Sequence, residues 1–86
     1  MFDEAAEDYN RGDYKLAFQK LQFLADQGDA EVQLTLGFMY RDGTGVAQDD
    51  REAVEWFRKA AKQGHADAQY QLGEFYYVGS RKIPQD

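Results

Sequence analysis

The sequence predicts an all-α protein built from stacked helical hairpins, with about five helices in all. Three observations carry that expectation. The first is an internal echo: Gly28 and Gly64 stand 36 residues apart, and at the same offset Ala30 matches Ala66, Gln33 matches Gln69, Leu36 matches Leu72, Gly37 matches Gly73, and Tyr40 matches Tyr76. The second is that apolar residues recur at helical spacing, three or four apart, through each candidate segment. The third is punctuation: Gly12-Asp13, Gly28-Asp29 and the run Asp42-Gly43-Thr44-Gly45 fall between those segments.

Each element follows in order. Phe2, Ala5, Ala6 and Tyr9 share one face of a short first helix, with Asp3, Glu4, Glu7 and Asp8 read as its water-facing stripe. Asp13 is placed to cap a second helix carrying Tyr14, Ala17, Phe18, Leu21, Leu24 and Ala25, which Gly28 ends as a left-handed cap. A third helix runs from about Asp29 to Arg41, followed by the glycine-rich loop. Asp49 with Glu52 resembles a capping box and opens a fourth helix whose packing face holds Ala53, Val54, Trp56, Phe57, Ala60 and Ala61. A fifth helix, about His65 to Val78, copies the third, and the tail from Gly79 to Asp86 copies the loop. The chain thus divides into an opening hairpin (1–28), a full repeat (29–64) and a partial repeat (65–86) within a single domain.

Composition narrows the chemistry. With 86 residues, no cysteine and one histidine, the chain has neither disulfides nor a thiolate or imidazole cluster for a metal, so its core must come from helix packing. Thirteen aromatic residues (six Phe, six Tyr, one Trp) supply the bulk for such packing. The net charge of −6 repels phosphate backbones and anionic lipid, so nucleic acid is not an expected partner, and no uninterrupted apolar segment approaches membrane-spanning length, so membrane insertion is not expected. The start Met1-Phe2-Asp3-Glu4 lacks the basic and apolar stretches of a leader, so a cytoplasmic location is expected as written; an exported protein written without its leader would read the same, and the compartment stays open.

The string Ala30-x-x-Gln33-x-x-Leu36-Gly37-x-x-Tyr40-x-x-Gly43-x-Gly45-Val46-x-x-Asp49-x-x-x-Ala53-x-x-Trp56-x-x-x-Ala60-Ala61-x-x-Gly64 resembles the Sel1-like repeat, a relative of the tetratricopeptide repeat. The resemblance continues from Ala66 to Asp86, departing where Arg81 and Lys82 replace the second loop glycine and its valine. Gly12-Asp13-Tyr14 and Ala17 are similar, more loosely, to a tetratricopeptide-type opening hairpin. The resemblance implies a right-handed α–α superhelix and a non-catalytic scaffold or adaptor, in bacteria often for exported or envelope proteins.

It further implies a concave face lined by the first helix of each hairpin. Carried onto this chain, the partner-binding positions are Glu31, Leu34, Phe38 and Arg41 on the third helix and Asp67, Tyr70, Glu74 and Tyr77 on the fifth, with Phe2, Ala6 and Tyr9 as looser equivalents on the first. The expected partner is a protein or peptide. The competing reading is that Leu34, Phe38, Tyr70 and Tyr77 pack against one another between neighbouring helices, since an aromatic stripe at helical spacing is more often core than site. The stripe of Gln69, Leu72, Gly73 and Tyr76 has no following helix to cover it, which makes these residues candidates for self-association as a homo-oligomer or marks the chain as a piece of a longer array. A structural or oligomerisation module is therefore the alternative function.

Catalysis is the third reading, a hydrolase-like activity on envelope material. Its sequence support is thin. Gly43-Thr44-Gly45 follows a helix rather than a strand and precedes no Lys-Ser/Thr pair, so it is not a phosphate loop. His65 begins a helix with no triad partners in view, and Asp42, Asp49 and Asp50 lack the spacing of a calcium loop. No catalytic residue, cofactor or metal is expected.

Overall fold

The computed structural model describes residues 2–78. Five helices follow in order, α1 (Phe2–Asn10), α2 (Tyr14–Asp26), α3 (Ala30–Asp42), α4 (Asp50–Lys62) and α5 (Ala66–Val78), with no strand among the described residues. Each helix packs on the next in chain order, so the protein is a short helical solenoid.

Local chemistry sets where the helices begin and end. Asp29 accepts from the amides of Glu31 (3.0 Å) and Val32 (3.2 Å), and Asp49 does the same for Arg51 (3.0 Å) and Glu52 (3.2 Å). Each carboxylate thereby satisfies amides that a helix start leaves without an intrahelical partner. Asp13 does not behave this way. Its side chain makes no capping bond, and α2 begins instead on backbone contacts, with the Asp13 amide donating to the Asp8 carbonyl (2.8 Å) and its own carbonyl accepting from Ala17 (3.0 Å). Gly28, expected to end α2 in the left-handed region, has φ +101.

Two apolar clusters form the core, and α3 and α4 contribute to both. One gathers Ala5, Leu21, Ala25, Val32, Leu36, Met39 and Trp56; the other gathers Leu34, Ala53, Val54, Phe57, Ala60, Ala68 and Phe75. Adjacent residues on α4 are thus split, with Trp56 turned toward the opening hairpin and Phe57 toward α5. Tyr40 borders both clusters and meets Phe18 edge-on at 5.4 Å between ring centroids.

The repeated residues hold these helices together in identifiable ways. A Cβ placed on Gly37 would lie 2.6 Å from Cδ1 and 2.9 Å from Cζ of Phe57, inside the ring's contact distance, so only glycine lets α3 and α4 close. Gln33 donates to the Ala25 carbonyl (3.1 Å), and its counterpart Gln69 donates to the Ala61 carbonyl (3.3 Å). The same side chain therefore ties each odd-numbered helix back to the end of the helix before it. Gln63 extends the tie, donating to Gly28 O (2.9 Å) and Gln33 Oε1 (3.0 Å). Gly45 has φ +76 and lies so close to the Tyr14 carbonyl that a Cβ would overlap it, which seats the α3–α4 loop on the start of α2. The corresponding Arg81 and Lys82, with the rest of the tail 79–86, lie outside the described residues.

Asp8 overturns the expectation of a water-facing acidic stripe on α1. Glu4 and Glu7 are exposed, but Asp8 is only 2% exposed and sits between Arg11 and Lys20, whose Nζ is 2.7 Å from Oδ2. A buried carboxylate needs such partners, because removing an ion from water without compensation is costly. The hydrogen bond that Lys20 donates to Asp8 raises the Lys20 pKa above its ordinary 10.5. Burial, followed by the charges of Glu52 and Asp49, raises Tyr40 above 10.0.

Two outcomes are expected. Gly37→Leu forces α3 and α4 apart at Phe57 and should cost roughly 1–3 kcal/mol or more, lowering the thermal midpoint by about 4–8 °C for each kcal/mol. An unchanged midpoint would contradict the close approach. The raised pKa values of Lys20 and Tyr40 mean that the folded chain keeps protons the unfolded chain releases, so these contributions are complete below pH 10 and are lost as pH rises through the raised values. Denaturant unfolding measured from pH 8 to pH 12 should show stability falling at the alkaline end.

Candidate functional site

A depression lies between α1 and α3, lined by Tyr9, Thr35, Phe38, Met39, Arg41, Asp42 and Thr44, with a volume of about 290 Å³. Three of the residues read from the sequence as partner-binding, Tyr9, Phe38 and Arg41, meet there. Tyr9 is 41% exposed, and its ring is held edge-on by Tyr14 at 4.9 Å. Helical spacing explains the lining: Thr35, Phe38, Met39 and Asp42 are three or four residues apart and share a face of α3.

Arg41 is the most constrained side chain in the depression. Its Nε and Nη2 donate to the two carboxylate oxygens of Asp42 (2.9 and 3.3 Å), Nη1 donates to Gln71 Oε1 on α5 (3.0 Å), and the guanidinium lies 4.7 Å from the Phe38 ring centroid. A planar fork held on three sides is preorganised, so little rotamer entropy remains to be lost when its free face meets a ligand. Its charge is balanced locally by Asp42. The depression therefore offers an aromatic and apolar floor with one fixed polar plane.

Other expected site residues lie elsewhere. Leu34 is only 6% exposed and belongs to the cluster that joins α4 to α5, so it is core rather than partner-binding surface. The cause is the neighbouring helix: Ala68 and Phe75 of α5 share that cluster with Leu34. Phe38 is half given to the same packing, meeting Phe57 edge-on at 5.3 Å. Glu31 is drawn to the junction between repeats, where its Oε2 is 2.6 Å from His65 Nε2. His65 stands at the start of α5, where the previous repeat has Asp29, and this pairing gives it a role between helices. Asp67, Tyr70 and Glu74 are exposed on α5, outside the lining of this depression. The Tyr77 and Phe2 side chains lie outside the described residues.

Of the residues named for self-association, Gln69 is committed to the Ala61 carbonyl, and Tyr76 accepts a hydrogen bond from Arg58. Leu72 is partly buried against the second cluster. Thr35, Met39, Asp42 and Thr44 were not anticipated as lining. Thr35, Met39 and Asp42 were findable, since they share the face of Phe38 at helical spacing; Thr44 lies beyond the end of α3, in the loop that follows it.

Serial cores and a repeated glutamine tie define a helical-hairpin repeat protein. Residues 30–65 and 66–86 both match the Sel1 repeat, and the chain belongs to that family. It is 33% identical over 72 residues to the ERAD-associated E3 ubiquitin-protein ligase component HRD3A of Arabidopsis thaliana, covering 83% of this chain and 11% of that protein. It is 44% identical over 50 residues to chitin synthase regulatory factor 3 of Schizosaccharomyces pombe, covering 58% of this chain and 5% of that protein. The chain thus spans only a small part of the length of these curated relatives. Among solved structures, a Sel1 repeat protein from Oxalobacter formigenes superposes with a TM-score of 0.73 at 42% identity, over 76% of this chain and 27% of that one.

Arg41→Ala removes the α3–α5 link through Gln71. It should lower stability by about 1 kcal/mol, read as a fall of about 4–8 °C in thermal midpoint. The same midpoint as the parent chain would show that the bridge contributes nothing.

Proposed function

We propose that this chain is a non-catalytic protein-interaction module that grips a peptide or protein segment along the face formed by α1 and α3. The observation that carries the reading is the depression itself, where Tyr9 and Phe38 offer aromatic surface beside a guanidinium already locked in place. Aromatic residues and arginine are the side chains that most often dominate binding energy at protein interfaces. The names of the relatives point the same way, one being a component of a ligase and another a regulatory factor for a synthase. The single histidine of the chain is paired with Glu31 at a helix junction, which gives it a structural task.

The test uses a plug. Thr35→Arg introduces a long charged side chain into the depression at a position that belongs to neither core cluster. Partners captured by photocrosslinking from the source cell and identified by mass spectrometry should be lost with this variant, while its circular dichroism and thermal midpoint match the parent chain. Undiminished capture by a correctly folded Thr35→Arg protein would overturn the assignment.

A further inference from the structure

The depression continues into an apolar pit. Ala5, Ala6, Tyr9, Asn10, Leu21 and Thr35 enclose about 160 Å³ between α1 and α3, and Tyr9 and Thr35 line both spaces. Thr35 Oγ1 donates back to the Glu31 carbonyl (3.0 Å), so its hydroxyl is already committed. The gap between α3 and α5 shows the same place when it is filled. Ala5 packs with Leu21 as Gly37 packs with Phe57, which puts Ala6 and Tyr9 in register with Phe38 and Arg41; Thr35 matches Gln71 at the 36-residue offset. There Phe38 packs against the cluster that joins α4 to α5, and Arg41 donates to Gln71 across the gap (3.0 Å). Between α1 and α3 an alanine stands in place of that phenyl ring, and the space it leaves is the pit. A further hairpin before α1 or after α5 would stack on the outer side of its immediate neighbour and leave the pit between the same two helices.

From this we infer, resting on the reading of α1–α3 as a peptide-binding face, that the pit is the anchor pocket for one phenylalanine- or leucine-sized side chain of a basic peptide segment. Size sets the anchor. An apolar cavity of roughly 150 Å³ accepts a benzene ring, and a phenyl ring, that of Phe38, occupies the matching place one hairpin later. Charge sets the flanks. Within α1, α3 and α5 the acids stand at 3, 4, 7, 8, 31, 42, 67 and 74 and the one base is Arg41, whereas α2 and α4 carry six bases against four acids. Arg41 is engaged by Asp42, while Glu7, Asp67 and Glu74 are exposed. These helices are therefore negative beyond what their own base offsets, which draws a cationic segment and repels an acidic one. A second copy of the chain, with net charge −6, has the wrong sign. The adjoining depression, with the exposed Asp42 carboxylate and Thr44, takes the residues beside the anchor.

The probe is the capped peptide Lys-Lys-Gly-Phe-Gly-Lys, titrated into the isotope-labelled 86-residue chain, together with versions that carry Leu or Ala for Phe, or Glu for every Lys. Expected are chemical-shift changes centred on the amides of residues 5–10 and 35, alike for the Phe and Leu peptides. The Ala peptide should bind more weakly by on the order of tenfold or more. The Glu peptide should also bind more weakly than its Lys parent, and added salt should narrow that difference. Ala6→Phe supplies the ring from the chain itself and should abolish the shifts, with circular dichroism and thermal midpoint matching the parent chain. Where that variant does not fold, the peptide series decides alone. Equal affinities for the Phe and Ala peptides, equal affinities for the Lys and Glu peptides, or shifts centred outside the pit would each overturn the inference. Shifts at the same amides on concentrating the chain alone would assign the pit to a second copy and overturn it as well. Partner capture separates this inference from the reading beneath it: partners lost with Thr35→Arg but retained by a folded Ala6→Phe protein leave the α1–α3 face standing and remove the pit from it.

Discussion

Everything in this protein turns on how closely α3 can approach α4. The missing side chain at Gly37 lets the Phe57 ring reach the α3 backbone, and that contact fixes the height at which the two helices cross. Once the crossing is fixed, Trp56 and Phe57 are committed to opposite sides of α4, one to the core shared with the opening hairpin and the other to the core shared with α5. A dense interior leaves no room to relax such a contact by small adjustments. The depression is tied to the same contact through Phe38, which packs edge-on against the Phe57 ring and carries the Arg41 guanidinium over its own.

The order of the helices was legible in the sequence because its pattern recurs. Gln33 and Gln69, found twice at one offset, perform one structural task twice, each reaching back to a carbonyl of the preceding helix, whereas Gly37 meets Phe57 and Gly73 has nothing among the described residues within 4 Å of a built Cβ. The candidate site was only half legible. Where the two copies differ, Arg41, whose counterpart is Tyr77, lines the depression, whereas Leu34 is buried and Tyr70 is exposed outside it. Leu34 is buried because α5 arrives beside it; no described helix arrives beside Tyr70, which is 65% exposed. The same position therefore changes from core to surface with its neighbours, and no property of the residue itself announces the change.

Asp8 shows a different limit. An acid among acids on a short amphipathic helix reads as solvated, and only the tertiary arrangement of Arg11 and Lys20 makes its burial tolerable. Such a pair is weak evidence for stability, since apolar residues of similar volume often do as well or better. The capping carboxylates are the reverse case. Asp29 and Asp49 act within two or three residues of themselves, so their roles are set locally and can be read from the chain alone. Asp13 has the same residue type in a matching position, yet its helix begins on backbone contacts with the end of α1, three residues away. The shorter connection there leaves the turn already occupied.

The chain-order packing of the helices has a kinetic meaning. Because each helix rests mainly on its immediate neighbours, forming any one pair closes only a short loop, and the entropy lost before contacts are gained is small. Folding can start wherever a neighbouring pair first meets and spread outward in both directions. The α3–α4 pair, which shares in both cores, is the natural nucleus, and the outer helices are added to it as a zipper is closed from the middle.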